Sequence, residues 1–466
     1  MAMGKQEADQ QQDLFITHDK LPRSPGHVFY RKLNQVLGEG GFDRWVEALC
    51  EPHYCKGQGR PSVPPGVYFR MLLVGYFEGI NSQRGMAWRC SDSLSLRDFL
   101  GIPLGEDSPD HSSLSYIRNR LPLDVHEAVF VWVLALLEKK KLLQGKTVGV
   151  DSTTLEADAA MKSIVRKETG EDWKQYLTRL MKEEGLIDED DDEPPSDETL
   201  RKFDKSRKDK KVSNDEWTSP TDPDARIAKM KDGTTHLAYK AEHVVDLKTE
   251  AILAAEIYHA DFHDTQTLED SLHQAQINLA EAGSDAEIVE AAADKGYHSN
   301  GTLAELHEHT TYRTYIPEPE LKHARVWTDK PPEQKAAVYA NRRRTRGEHG
   351  KKLQRLRSEL TERTFAHVCE TGGARRTWLT AIENVRKRYL ISAAAHNLGL
   401  LMRSLFKMGT PRGLQQFKTD LEGVVSSACP TWLAIARRWK LSLPHLKPTT
   451  DRSDSLAYPT DLALVA

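Results

Sequence analysis

Hydrophobic positions follow two regimes along the chain. From His27 to Lys141 apolar residues recur at helical spacing, and Val67 to Phe77 is apolar almost throughout before Gly79-Ile80-Asn81-Ser82 closes it. A glycine can end a helix and Ser82 can accept from the first free N–H groups of the next, so short helices with tight turns are predicted. The segments SQRGMAWRC, LSLRDFLG and LSYIRNRL continue the series, the last capped by Ser112 or Ser113, and an apolar helix ends at Glu138-Lys139-Lys140-Lys141. Beyond Lys146 the period becomes that of strands. Lys146 to Ser152 reads as a strand ending in an acid, and His236–Val245 with Glu250–Ile257 as a hairpin. Thr265 to Gly283 reads as a helix, Ala286–Asp294 as another strand ending in an acid, and Tyr312–Ile316 as a strand stopped by Pro317 and Pro319. The basic run Asn341 to Lys352 reads as a linker before a long helix containing LQRLRSELTERTFAHV. This order predicts a mixed α/β core preceded by a helical domain.

Charge refines the boundaries. The 466 residues carry 65 Lys+Arg against 69 Asp+Glu, a net charge of −4 that conceals segregation. Met181 to Leu200 holds one lysine and ten acids, whereas Leu321 to Leu390 holds 18 basic residues and 7 acids. A basic segment in a near-neutral chain points to a polyanion bound at one place. Like-charge blocks with proline bury too little apolar surface to offset chain entropy, so 161–233 reads as an insertion, partly disordered, within a core spanning 142–160 and 234–410. Residues 1–26 read as a mobile tail and 411–466 as a C-terminal tail; 27–141, short helices with Arg84, Arg89, Arg97, Arg118 and Arg120 scattered over them, reads as a helical DNA-binding domain of helix-turn-helix type or as a small helical bundle with ordinary surface arginines. The first residues lack an apolar signal region and the apolar run Ala128 to Leu137 is far shorter than the roughly 20 residues that span a bilayer, so neither secretion nor membrane insertion is expected. Five cysteines without a C-x-x-C pair imply neither a disulfide framework nor a structural zinc site, and reduced thiols in a cytosol are expected.

Asp151 and Asp294 each end a run of small or β-branched residues. Two carboxylates emerging at one end of a sheet, with a third from a helix, can hold divalent cations for phosphodiester chemistry, and hard oxygen ligands favour Mg²⁺ or Mn²⁺. Asp294-Lys295-Gly296-Tyr297-His298-Ser299 resembles the second-acid motif of DDE transposases of bacterial insertion sequences, whose core is ribonuclease H-like. Gly149-Val150-Asp151-Ser152-Thr153 is similar to the first-acid strand, Thr221-Asp222-Pro223-Asp224-Ala225 to the motif before the second strand, and Glu362-Arg363-Thr364-Phe365 to the third-acid helix. The resemblance runs from about Phe29 to Arg403.

It implies Asp151, Asp294 and Glu362 as a metal-binding triad, with two Mg²⁺ or Mn²⁺ ions and with His298 and Lys295 near phosphate or second-shell oxygens. The family's helix signature has three residues between an Arg and the Glu and six between the Glu and a Lys. Around Glu362 those positions are Ser358, one away from Arg357, and Cys369; Glu359 has Arg355 at the strict spacing but Ala366 at the other, and Glu362 is the favoured third acid. Arg342, Arg343, Arg344, Arg346, Lys351 and Lys352 lie just before it and are expected to guide DNA. Trp217, Trp327 and Trp378 are candidates for stacking on an unpaired base. The expected function is that of a transposase, binding terminal inverted repeats of double-stranded DNA, cutting and rejoining strands, as a homo-oligomer in a bacterial cytoplasm at the nucleoid. An inactive relative serving as a DNA-binding regulator, and a metal-dependent nuclease without strand transfer, are the alternatives.

Overall fold

The computed structural model describes residues 27–55, 62–188, 195–207, 213–230, 233–320, 325–328 and 330–411. The expected tail at 1–26, the acidic run 189–194, the basic run 208–212 and the C-terminal segment from 412 lie outside the described residues. Seven helices come first: α1 (Val28–Glu39), α2 (Phe42–Cys50), α3 (Pro65–Glu78), α4 (Gln83–Asp92), α5 (Leu94–Leu100), α6 (His111–Arg120) and α7 (Leu123–Lys139). α3 is buried from Tyr68 to Phe77, as its nearly continuous apolar run demands, Arg70 within it pairing with Asp43 at 2.7 Å, and Gly79 ends it with φ 72°. Ser82 caps α4 by accepting from the Gly85 N–H at 3.1 Å. The cap of α6 differs from expectation. Asp110 accepts from the Ser113 N–H at 2.9 Å, leaving Ser112 and Ser113 inside the first turn, because a carboxylate supplies both the acceptor and the charge that the helix N-terminus favours.

The strands are β1 (Thr147–Glu156), β2 (Val165–Arg166), β3 (Trp217–Thr218), β4 (Arg226–Lys229), β5 (Thr235–Asp246), β6 (Ile252–His259), β7 (Glu290–Ala292) and β8 (Arg313–Tyr315). Six form one mixed sheet. β1 lies antiparallel to β5, which lies antiparallel to β6 and β4, while β7 and β8 run parallel to β1 on its other side. The meander followed by parallel strands gives the ribonuclease H-like arrangement. β7 is shorter than the predicted 286–294, since Asp294 already caps a 3₁₀ turn at Lys295–Tyr297.

Helices cover both faces of the sheet. α10 (Asp264–Glu281) and α11 (Asn300–His309) belong to one side; α12 (Pro332–Arg346), α13 (Glu348–Phe365) and α14 (Ile382–Phe406) complete the fold. The expected basic linker is helical. Arg is a good helix former, no Gly or Pro interrupts 333–346, and only Gly347 breaks the chain between α12 and α13. α12 is fixed by buried Asn341, whose side chain exchanges hydrogen bonds with both backbone groups of Ile316. A π-helical turn at Ala366–Thr371 then leads to Gly372.

α13 and α14 meet the sheet at His243. Its ring stacks on Phe365 at 4.1 Å, with Thr364 Oγ1 3.0 Å from Nδ1 and Tyr389 Oη 2.8 Å from Nε2. Complete burial pushes its pKa well down, so a neutral imidazole with both nitrogens engaged ties three elements together. α14 also packs along α7 and α3, so the helical region and the sheet share one long helix.

Part of 161–233 is ordered. α8 (Trp173–Glu183) and α9 (Asp197–Ser206) pack through Leu177, Met181, Leu200 and Phe203, beside the β2–β3 ladder.

Candidate active site

Register decides which side chains converge. In β1 and β7 Thr147 pairs with Glu290 and Gly149 with Ala292, and two further residues along each chain set Asp151 beside Asp294. Adjacent strands lie about 4.8 Å apart, so the two carboxylates emerge as neighbours at the same end of the sheet. Asp151 is partly buried and its pKa is raised. Burial is the main cause, the like charge of Asp294 adds to it, and Arg357 and the Ser152 N–H oppose it. Arg357 donates to Asp151 Oδ2 at 2.8 Å and Thr361 Oγ1 donates to the same atom at 3.2 Å.

Glycine makes this approach possible. A Cβ on Gly149 would lie 2.8 Å from Leu247 Cδ2 and 2.9 Å from Arg357 Cγ, so the bare backbone at 149 lets α13 settle on β1.

The segment Asp294–Ser299 has a physical reason at nearly every position. Asp294 Oδ1 accepts from the Gly296 N–H at 2.7 Å, and Ser299 caps α11. A Cβ on Gly296 would stand 2.6 Å from Asp264 Oδ2 and 3.0 Å from Asp294 Oδ1, so glycine lets two acids approach. Tyr297 is fully buried and donates to Glu242 Oε2 at 2.8 Å. Beneath it lies a charged network that sequence reasoning missed. Lys240 Nζ stands 2.8 Å from Asp264 Oδ1, 2.8 Å from Thr267 Oγ1 and 3.3 Å from Glu242 Oε2, and Ser152 donates to Asp264 Oδ1 at 3.0 Å. Lys240 and Glu242, buried charges two residues apart and so on one face of β5, were the available signal.

Glu362, the expected third acid, lies on α13. Gln354 donates to the Ala293 carbonyl at 3.1 Å, immediately before Asp294. Ser358 and Glu362 follow on the same i, i+4 ridge, with Ser358 Oγ donating to Glu362 Oε1 at 3.1 Å. Glu359 lies on the next ridge and pairs with Arg363 at 2.5 Å, away from Asp151. Glu362 is exposed, and among the described residues no three His, Cys, Asp or Glu side chains form a group that could hold a metal ion. The Asp151–Asp294 pair, being hard oxygen donors of like charge, suits a divalent cation.

Two family models match the chain, the Transposase domain (DUF772) over residues 16–120 and the Transposase DDE domain over residues 195–398. The chain belongs to the DDE transposases. The second match spans Asp294 and Glu362, whereas Asp151 lies between the two matched regions. No curated protein and no solved structure matches.

The transposase's other candidate residues are scattered. Lys295 is exposed at the 3₁₀ turn. His298 is half-buried, with Nε2 lacking a hydrogen-bond partner; burial lowers its pKa, and Arg325, Glu318 and Arg342 supply the charges around it. Arg342 forms a bidentate pair with Glu318 at 2.6 and 2.9 Å, and Arg344 donates to the carbonyl and Oγ1 of Thr314, both at 3.0 Å. Those two guanidinium groups serve the fold. Arg343, Arg346, Lys351 and Lys352 are exposed. Trp217 is buried against Tyr176, Trp327 lies beside Tyr339, and Trp378 is 47% exposed. Among the described residues no helix is long and apolar enough to cross a membrane.

Proposed function

We propose that this transposase binds the terminal repeats of double-stranded DNA, cuts the strands and joins them to a target, with Asp151, Asp294 and Glu362 holding two divalent cations, Mg²⁺ or Mn²⁺. What supports the reading is the parallel register of β1 and β7, from which Asp151 and Asp294 follow two residues on at the same end of the sheet, Asp294 falling within the matched DDE domain. Glu362 is assigned as the third ligand because it follows Gln354, bonded to the Ala293 carbonyl, and Ser358 on one ridge of α13. When bound, such ions polarise the phosphoryl oxygens and offset charge on the attacking and leaving oxygens. The chain's own residues prepare the place. Arg357 and Thr361 hold the Asp151 carboxylate toward α13, and the Gly296 N–H, donating to Asp294 Oδ1, holds the turn that presents Asp294. Arg343, Arg346, Lys351 and Lys352 supply exposed positive charge for the backbone of DNA beside this helix. Pairing of two element ends calls for more than one copy of the chain on DNA.

Asp294→Asn keeps the shape of the side chain and removes a good cation ligand. Cleavage of end-sequence DNA in Mg²⁺ is expected to fall by at least a hundredfold while duplex affinity, measured in parallel, stays within about twofold. Loss of both together, with a lowered Tm, overturns the catalytic reading. Strand transfer to a target by the unaltered chain separates a transposase from a nuclease or an inactive regulator.

A further inference from the structure

Between the helical region and the end of β1 lies a cavity of about 350 Å³ that the carboxylate site does not use. Its walls come from the start of α4, both ends of α6, Leu155, the loop 373–379 and α14. Two glycines bring the loop there. A Cβ on Gly372 would lie 2.5 Å from the Tyr76 ring, and Gly373, at φ +77°, would place one 3.3 Å from the Gly79 carbonyl. The loop backbone therefore lies directly on the α3–α4 corner, with Arg375 donating to Thr153 Oγ1 and the Thr154 carbonyl at 2.8 and 2.9 Å.

The lining has one sign of charge. Arg84, Arg118, Arg376, Arg388 and His111 face the cavity together with Trp378, and no Asp or Glu is among the lining residues. Arg388 is engaged by the Ile80 carbonyl at 3.1 Å, and Arg376 reaches Glu156 at 3.6 Å while lying 4.7 Å over the Trp378 ring. Arg118 differs, since its Nε and Nη1 are buried without a hydrogen-bond partner. A buried guanidinium with free donors favours an anion bearing several acceptor oxygens. The half-exposed indole favours a flat aromatic group. The volume falls in the range of about 300 to 1,000 Å³ usual for small-molecule sites.

We propose that this cavity binds one nucleotide, its phosphate on Arg118 and Arg84 and its base against Trp378. Leu155 in the wall stands four residues from Asp151 along β1, about 13 Å, so a nucleotide held here lies within reach of a strand at the carboxylates. The DNA-processing reading bears only on whether that nucleotide belongs to a strand, because a free nucleotide would use the same chemistry.

The test titrates the full chain with deoxyadenosine monophosphate, with a duplex carrying one unpaired adenosine, and with the same duplex fully paired. Each titration is repeated with Trp378→Ala and Arg118→Gln, and Tm is recorded for every protein. Both variants are expected to bind the unpaired-adenosine duplex roughly tenfold more weakly while holding the paired duplex as before. Saturable binding of the monophosphate that both variants lose, with the two duplexes indistinguishable, also supports a nucleotide site and assigns it to a free nucleotide. Equal weakening on both duplexes would mark a general DNA surface and overturn the proposal. Unchanged binding of all probes by Trp378→Ala overturns it too, whatever Arg118→Gln does, the recorded Tm showing whether that variant, whose indole is half exposed, is folded. Mg²⁺-dependent cleavage by the unaltered chain is scored alongside. Cleavage without a nucleotide effect removes the cavity alone, and nucleotide binding without cleavage removes the catalytic reading alone.

Discussion

At the residue scale the third acid is where sequence and geometry bear on each other most closely. Glu359 and Glu362 are neighbours on α13, yet Glu359 is engaged by Arg363, which also pairs with Glu250, while Glu362 continues the ridge Gln354–Ser358, whose first residue bonds the Ala293 carbonyl. Phe365, one turn on, is buried against His243 and fixes the pitch of that ridge. Glu362→Gln is expected to lower Mg²⁺-dependent cleavage at least a hundredfold and Glu359→Gln by less than threefold; the reverse order would shift the site by three residues and give Arg355 the signature role. A second residue carries a pH signature. Glu256 is 5% exposed and its pKa is raised to about 6, first by burial and then by Glu127, against the opposing pull of Arg386. A carboxyl raised in the fold stabilises it when protonated, so this contribution is full below pH 4.5 and is lost as the pH rises through about 6. The loss amounts to about 2 kcal/mol. Glu256→Gln should flatten the stability curve over that interval in urea titrations, Arg386 still having Glu127 at 3.4 Å. An unaltered slope would place the buried charge elsewhere. Asp151 and Asp294 were legible because strand and turn mark them locally. Asp264, Lys240 and Glu242 were not, because their meaning comes from contacts between β5, α10 and the turn after β7.

At the element scale the fit of α13 on β1 is the feature on which the site depends. Ala at Gly149 must push on the stem of Arg357 and on Leu247, an overpacking that costs about 1 to 3 kcal/mol. Gly149→Ala should therefore lose stability of that order in urea titrations and lose cleavage by more than the stability loss explains, because the displaced residue is the partner of Asp151. A fully stable variant would show that α13 sits loosely there. The helices and long strands were readable from period and caps, including Ser82 and the hairpin of β5 and β6. The basic run was misread as a linker because its charge pattern resembles a solvated segment. Its helix-forming residues are also held in place by tertiary bonds, Asn341 to Ile316 and Arg344 to Thr314. β7 was overread for a related reason, since apolar residues continue to Ala293 but Asp294 turns the chain.

At the scale of the whole molecule, a net charge of −4 is compatible with DNA binding only because the charges are segregated. Most of the basic residues in 321–390 fall on α12, α13 and the start of α14, and of these α13 packs on β1 and touches Asp151. The structure divides these residues into two groups. Arg342 and Arg344 are bound to Glu318 and Thr314, and Arg343 and Arg346 are exposed near the junction at Gly347. Each lysine or arginine that neutralises a phosphate contributes about 0.9 to the slope of log affinity against log salt. Replacing Arg343 and Arg346 together by Ala should therefore reduce that slope by roughly 2 with little change in Tm. Arg342→Ala should do the opposite, leaving the slope in place and lowering Tm through the loss of a bidentate pair with Glu318. Duplex binding measured across a salt series for both variants distinguishes the two groups. If the double variant keeps the original slope, these arginines only solvate the helix end, and the polyanion must approach the carboxylates along another face of the sheet.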